Sequence, residues 1–253
     1  MSGHSHWAGI KYKKALVDAK KGKIFSKIGR RITLAARTNG GDPDNNLELR
    51  YAMDDARAAN MPKDNVERAI KKGTGELGDS TYEPVVYEGY GPAGVAIMAE
   101  ALTDNRNRTA GEIRKIFERN NGNLGESRCV AWMFERKGIV SIKAEGTTED
   151  DIMVAVLDAG AENIEKAGDF YEITSEVADI QNVKAALEGA GYAVESAQPR
   201  NVPKNFVELD ADRVRKVLKL IDALDDQEDV QTVSSNFSIP DDVMAALAEE
   251  AGN

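Results

Sequence analysis

The side chains with the clearest chemical role are the cations near the amino terminus. Residues 1–37 contain ten Lys and Arg side chains against one carboxylate, Asp18. Cations at this density can neutralise phosphates and release their condensed counterions, so the segment is predicted to bind a polyanion. Trp7 and Tyr12 lie among these lysines, where they either stack on exposed bases or anchor the segment on its own domain. The predicted nucleic-acid ligands are Lys11, Lys13, Lys14, Lys20, Lys21, Lys23, Lys27, Arg30, Arg31 and Arg37.

A second cationic cluster lies in residues 104–109, with the sequence DNRNRT. Arg106 and Arg108 come just before the capping-box sequence TAGE, which predicts the start of a helix. Free backbone N–H groups at a helix amino terminus add to the charge of the two guanidinium groups, so a phosphate site is one interpretation. The alternative is that both arginines pair with nearby carboxylates such as Glu100 or Glu112, and the sequence favours neither.

Motifs of common enzymes and metal centres are missing from the chain. The sequence contains no phosphate-binding P-loop, no GxSxG nucleophile motif and no HExxH zinc motif. Its two histidines, His4 and His6, lie in the basic segment, and Cys129 is the only cysteine. We therefore predict a protein that is not an enzyme and has no metal and no cofactor. An enzyme with a carboxylate site is the weakest alternative, because acid–base catalysis by Asp or Glu needs no motif.

The charge is distributed unevenly along the chain. The 253 residues carry a net charge of −10, yet residues 1–75 hold 16 Lys and Arg against 8 Asp and Glu. A basic surface beside an acidic remainder favours a polyanionic partner. Cys129 as the only cysteine is typical of a reducing compartment, and no apolar stretch is long enough for a signal peptide or a bilayer span. We expect a cytoplasmic protein without a membrane partner; no dimer signal is visible, and a monomer is compatible with the sequence.

The basic residues are expected to lie on a small helical domain, residues 1–75. Between residues 23 and 37, apolar and basic side chains recur on opposite sides at a helical period. A second helix is predicted from about Leu47 to Ala59, and a third helix follows Pro62 and ends at Gly73.

Beyond a linker at residues 73–82 the pattern changes to strands and helices. A hairpin through the Gly91-Pro92 turn, a helix from Thr109, a strand at 130–134, a helix at 212–224 and a strand at 230–237 are predicted. We assign these elements to a discontinuous α+β middle domain, residues 82–134 plus 205–240.

Residues 139–200 follow the order β-α-β-β-α-β, which is ferredoxin-like. This unit, residues 135–204, is predicted to be inserted into the middle domain, and residues 241–253 form a C-terminal tail. With 4 basic against 13 acidic side chains in residues 139–200, we do not expect it to bind RNA by its sheet. The predicted fold class is α+β multidomain: an N-terminal helical domain followed by two α/β-plait (ferredoxin-like) domains, one inserted in the other.

Five segments of the chain resemble the YebC family. They are GHSHWAGIKYKKALVDAKKGKIFSKI, NMPKDNVERAIKKGTGE, YEGYGP, DNRNRT and NGNLG, in this order. Bacterial members are described as probable transcriptional regulatory proteins, and the similarity extends to a mitochondrial translational activator of cytochrome c oxidase. The resemblance implies a helical amino-terminal domain, two α+β domains with one inserted in the other, and a role in regulating gene expression. Tyr12 stands where relatives usually carry His, and Arg30 and Arg31 lie in a segment that is usually less basic.

Two hypotheses for the function follow. In the first, a DNA-binding transcriptional regulator contacts phosphates through the basic helical domain. In the second, a ribosome-associated translation factor binds ribosomal RNA through the same residues and assists synthesis of difficult, proline-rich stretches, as proposed for bacterial relatives. The residues predict a polyanionic partner and leave DNA and ribosomal RNA as alternatives.

Overall fold

A computed structural model of the chain describes residues 21–78, 81–240 and 243–244. Within these residues the chain begins with a helical domain that consists of α1 (Lys21–Asn39), α2 (Leu47–Ala58) and α3 (Lys63–Gly73). The longer elements that follow are β1 (Glu83–Tyr90), β2 (Ala96–Thr103), α4 (Arg106–Arg119), β3 (Asn123–Leu124), β4 (Phe134–Lys143), α5 (Glu149–Val156), β5 (Ala161–Ala167), β6 (Phe170–Ser175), α6 (Ile180–Gly189), β7 (Val194–Pro203), β8 (Val207–Glu208), α7 (Ala211–Asp225), β9 (Val230–Ser235) and β10 (Phe237–Ser238).

The helical domain forms around the apolar side of α1. Ile32 and Leu49 are fully buried where α1 meets α2, and Ala69 of α3 packs into the same core. Gly73 lets α3 end close to α1, because a Cβ at this position would collide with the carbonyl oxygen of Thr33. The three helices lie close to where the sequence predicts them.

The middle domain contains an antiparallel sheet with the strand order β3-β1-β2-β9. Helices α4 and α7 cover one face, where Phe117 and Leu220 join Ile97 of β2 in a buried core. The other side of β2 packs on the segment 129–134, with Val130 and Phe134 against Ala96 and Met98. β1 and β2 form the predicted hairpin through the turn after Gly91.

Two boundaries in the middle domain differ from the sequence-based prediction. Residues 131–133 form a 3₁₀ turn instead of a strand, because the Glu88 carboxylate accepts the backbone N–H groups of Arg128, Val130 and Ala131. A strand would need those donors for a neighbouring backbone. Helix α4 begins at Arg106 instead of Thr109, since the Asn105 side chain accepts the N–H of Arg108 at 3.1 Å and caps the helix.

The inserted domain has the ferredoxin-like order. Its strands are arranged β5-β6-β4-β7, all antiparallel, and α5 and α6 pack on one face around Val140, Ile173 and Leu187. β4 and β7 are longer than predicted and pair from Phe134↔Pro203 onwards. In this domain the first two strands, β4 and β5, are not neighbours in the sheet, whereas the first two strands of the middle domain, β1 and β2, pair directly as a hairpin.

The predicted fold class, an α+β multidomain protein with an N-terminal helical region, is confirmed. Among the described residues no helix is long and apolar enough to cross a membrane. Within the same ranges, no group of three or more His, Cys, Asp or Glu side chains is placed to hold a metal ion.

Candidate nucleic-acid interface

The basic side of α1 lies against the carboxyl end of α7. The Lys27 ammonium donates to the backbone oxygen of Asp225 at 2.6 Å, and Lys23 donates to the backbone oxygen of Asp226 at 3.3 Å. The last carbonyl groups of a helix have no partner within the helix and carry partial negative charge, so these positions attract cations. The two lysines thus cap α7 from another domain.

Arg30 extends the same contact to a buried carboxylate. Its Nη1 lies 2.7 Å from Oδ1 of Asp229, whose side chain is only 2% exposed. The other carboxylate oxygen accepts from Arg108 Nη2 at 3.0 Å and from the Thr109 hydroxyl at 2.6 Å. The Asp229 carboxylate therefore joins α1 of the helical domain to α4 of the middle domain.

The charge of Asp229 is stabilised by these donors. Burial by itself would raise the pKa of the carboxyl, but the hydrogen bonds from Thr109 and Arg108 and the charge of Arg30 lower the pKa of Asp229 below its ordinary value. The same contact raises the pKa of Arg108, chiefly through its hydrogen bond to Asp229. Both groups are ionised at neutral pH.

The remaining predicted cations are distributed over several places. Arg31 pairs with Asp55 of α2, and Arg106 is 65% exposed with its Nη1 4.0 Å from the Glu83 carboxylate. Arg37 is exposed in the last turn of α1, and Lys21 begins that helix. Lys11, Lys13, Lys14, Lys20, Trp7 and Tyr12 lie outside the described residues.

For the DNRNRT cluster, the structure places carboxylates next to both arginines. Arg108 also contacts Asp104 at 2.9 Å, so its partners are Asp104 and Asp229 instead of Glu100 or Glu112. The backbone N–H of Arg108 is bound by the Asn105 cap. The prediction that Arg106 and Arg108 bind phosphate stays a prediction, and a phosphate at Arg108 would meet the charge of these two carboxylates.

A cleft between α1, α3 and Tyr82 offers a different cationic surface. It has a volume of about 350 Å³, and its cations are Arg30, Arg68 and Lys72. Among the described residues that line it there is no carboxylate. Its other lining residues are Phe25, Ser26, Gly29, Thr33, Met61, Asn65, Ala69 and Tyr82. We call this feature the cationic cleft.

Tyr82 forms an aromatic part of the cationic cleft. The guanidinium carbon of Arg30 lies 5.7 Å and the ammonium nitrogen of Lys72 5.2 Å from its ring centroid, within the range of cation–π attraction. The Lys72 ammonium also donates to the Tyr82 hydroxyl at 3.5 Å. The two contacts hold cations and an aromatic ring together at one surface.

Sequence reasoning missed the cations of α3. Lys63, Arg68 and Lys71 are exposed, and within the described residues they have no ion pair or hydrogen bond from their side chains. The sequence does contain a pattern that predicts a cationic side of α3: positions 68, 71 and 72 have the i, i+3, i+4 spacing that places side chains on one side of a helix. Of the α3 cations, Arg68 and Lys72 line the cationic cleft, and neither has a carboxylate partner within the described residues.

Comparison with known proteins identifies relatives over almost the whole chain. The model of the TACO1/YebC N-terminal domain matches residues 5–76, and the model of the second and third TACO1/YebC domains matches residues 82–237. A probable transcriptional regulatory protein of Pelotomaculum thermopropionicum is 51% identical over 243 residues, which cover 95% of this chain and 100% of the relative. One from Chlorobaculum tepidum is 51% identical over 251 residues, 99% of this chain and 100% of the relative.

A solved structure shows the same architecture. The crystal structure of the conserved hypothetical protein Aq1575 from Aquifex aeolicus is similar with a TM-score of 0.83 at 44% sequence identity. The match covers 90% of this chain and 94% of that chain. The arrangement of helical and α+β domains is thus shared with an experimental structure.

Proposed function

The chain belongs to the TACO1/YebC family, and from this premise we propose that it is a cytoplasmic, non-enzymatic regulator of gene expression that binds nucleic acid through its helical domain. The relatives are named probable transcriptional regulatory proteins, which supports a regulator. The observation that carries nucleic-acid binding is the cationic cleft together with the exposed cations of α3. Phosphates are the anions that such clustered Arg and Lys side chains bind.

The cations of α1 have a second role in this proposal. The helical domain is held on α7 and Asp229 by the cations Lys23, Lys27 and Arg30, each of which already contacts a carboxylate. A phosphate that binds one of these cations must therefore displace its carboxylate or share the cation with it. Lys23 is 49% exposed and its charge still attracts an approaching polyanion. Arg68 and Lys72 need no such exchange, and we assign the first phosphate contacts to them.

The test is a salt titration of binding. We compare wild type with the Arg68→Gln/Lys72→Gln variant on duplex DNA, single-stranded RNA and ribosomes, with Arg114→Gln/Lys115→Gln on exposed positions of α4 as a control of equal charge. The cleft variant should bind more weakly, and each lost phosphate contact should lower the slope of log K against log salt by about 0.7–0.9. Equal losses in the two variants would overturn the assignment to the cleft, and no binding by wild type would overturn the proposal.

The second candidate function is translation, with ribosomal RNA as the partner. It is favoured by the aromatic and apolar lining of the cationic cleft, since RNA presents unpaired bases that stack on such side chains, whereas duplex DNA keeps its bases stacked inside. Ribosome binding that is lost in the cleft variant, with only weak sequence-independent binding to DNA, would support translation. Sequence-specific binding to promoter DNA without ribosome association would support transcription.

A further inference from the structure

Gly29 opens the cationic cleft. It lies in the middle of α1, where glycine disfavours a helix relative to alanine. Packing does not require glycine here, because a Cβ would have only Met61 Cε near it, at 3.9 Å. At Gly73, by contrast, a Cβ would collide with α1. The missing side chain at position 29 therefore leaves space that no other part of the described fold fills.

The lining of this space combines three kinds of chemistry. Phe25, Met61 and Ala69 supply apolar surface, Tyr82 supplies an aromatic ring, and Arg68 and Lys72 supply positive charge. The volume of about 350 Å³ falls in the range of about 300–1,000 Å³ that small-molecule sites occupy. A ligand that matches all three has a planar apolar part and an anionic group attached to it.

We propose that the cationic cleft accepts one unpaired nucleotide of a single-stranded nucleic acid, with the base against Phe25 and Tyr82 and its phosphate at Arg68 and Lys72. The inference rests on the proposed function and specifies the ligand of its site. A base that is paired and stacked in a duplex enters only after it has been extruded. The cleft thus selects single-stranded regions, loops or ends over regular duplex.

The experiment separates base insertion from charge attraction. Full-length protein is titrated with a labelled single-stranded RNA of about 12 nucleotides, with its DNA counterpart and with a strand of the same length that lacks bases. Gly29→Leu fills the cleft without changing charge, and Gly22→Leu, which places the same side chain on α1 in open space, is the matched control. Tyr82→Ala is the second variant. Thermal unfolding confirms that each variant is folded.

We expect Gly29→Leu and Tyr82→Ala to weaken binding of the base-containing strands by roughly 5- to 150-fold, the range for loss of one stacked base. Binding of the strand without bases should be unchanged, and Gly22→Leu should affect neither.

Four results would overturn the inference. If wild type binds the strands and both cleft variants bind equally well, no base enters, while the proposed function stands. If the variants lose affinity for the strand without bases to the same extent, the effect comes from charge or folding. An oligoglutamate peptide is titrated as a further ligand; if it binds wild type as tightly as RNA and loses binding in Gly29→Leu, the ligand is an acidic peptide. If wild type binds none of the single strands but binds duplex DNA, the inference fails and the proposed function stands; if it binds neither the strands nor duplex DNA nor ribosomes, both fail.

Discussion

Arg30 Nη1 lies 2.7 Å from Asp229 Oδ1, although the two residues are 199 positions apart in the chain. This ion pair joins the helical domain to the middle domain. Arg30 is 16% exposed and also lines the cationic cleft, while Asp229 is buried. The guanidinium group therefore connects the candidate binding surface to the contact that holds the helical domain in place.

Asp229→Asn is expected to lower the free energy of unfolding by about 3 kcal/mol, because removal of one buried partner leaves Arg30 and Arg108 without their shared counter-charge. Denaturant unfolding of wild type and variant measures this difference. Asp226→Asn removes a half-exposed partner of Lys23 and should cost less than about 1 kcal/mol. Equal losses in the two variants would contradict the special role of Asp229.

The contribution of Asp229 to the free energy of unfolding should also depend on pH. Its folded-state pKa is lowered, so the stabilisation is complete above the ordinary aspartate pKa of about 4 and is lost as the pH falls through the folded-state value. The stability difference between wild type and Asp229→Asn should therefore shrink on acidification below about pH 4. A difference that stays constant down to pH 2 would show that charge is not its source.

Glu172 of β6 should affect the pH dependence of stability in the opposite direction to Asp229. Burial raises its pKa, the charge of Glu165 adds to this, and Arg200 at 3.3 Å opposes it without cancelling it. A carboxyl with a raised folded-state pKa lowers stability once the pH exceeds the ordinary glutamate value of about 4.3. Glu172→Gln should therefore be more stable than wild type at pH 7, and the gain should disappear below about pH 4. A variant that is less stable at pH 7 would show that the ion pair with Arg200 dominates.

Glu88 should control the reactivity of Cys129. Burial raises the pKa of the Cys129 thiol, and the charge of Glu88 raises it further, so little thiolate is present at neutral pH. Glu88→Gln is expected to lower this pKa and to speed alkylation by iodoacetamide between pH 7 and 9. Since Cys129 is the only cysteine, Cys129→Ser measures the background. An unchanged dependence of the rate on pH would contradict the influence of Glu88.

Asp225→Asn should increase the affinity for nucleic acid. The variant removes the carboxylate 3.5 Å from the Lys27 ammonium and leaves this predicted phosphate ligand freer to contact a phosphate. We expect a gain of up to about 5-fold, the equivalent of one partly exposed ion pair. Asp212→Asn changes the net charge equally at the other end of α7 and is the control. If both variants gained the same affinity for nucleic acid, the cause would be the change in net charge and not the release of Lys27.

The limits of sequence-based prediction are visible at Thr109 and Val130. The helix start predicted at Thr109 is wrong because Asn105 caps a helix that begins three residues earlier, and the Thr109 hydroxyl donates to Asp229, 120 positions away. The strand predicted at 130–134 does not form as predicted because the Glu88 carboxylate accepts the backbone donors. At Val130 a carboxylate 42 positions away thus overrides the local preference for a strand, whereas at Thr109 a nearer cap decides where the helix begins.

The sequence by itself determined the local properties of this protein: the helices of the basic domain, the β-α-β-β-α-β order of the inserted domain and the concentration of cations in the first 75 residues. These follow from the spacing of apolar and charged side chains along a few turns or strands. Only the tertiary structure decided which cations face carboxylates and which face an open cleft. Lys27 and Arg68 look alike in the sequence, but folding brings Asp225 to the first and leaves the second at the cleft. Ion pairing depends on distance in space, which the spacing along the chain does not encode.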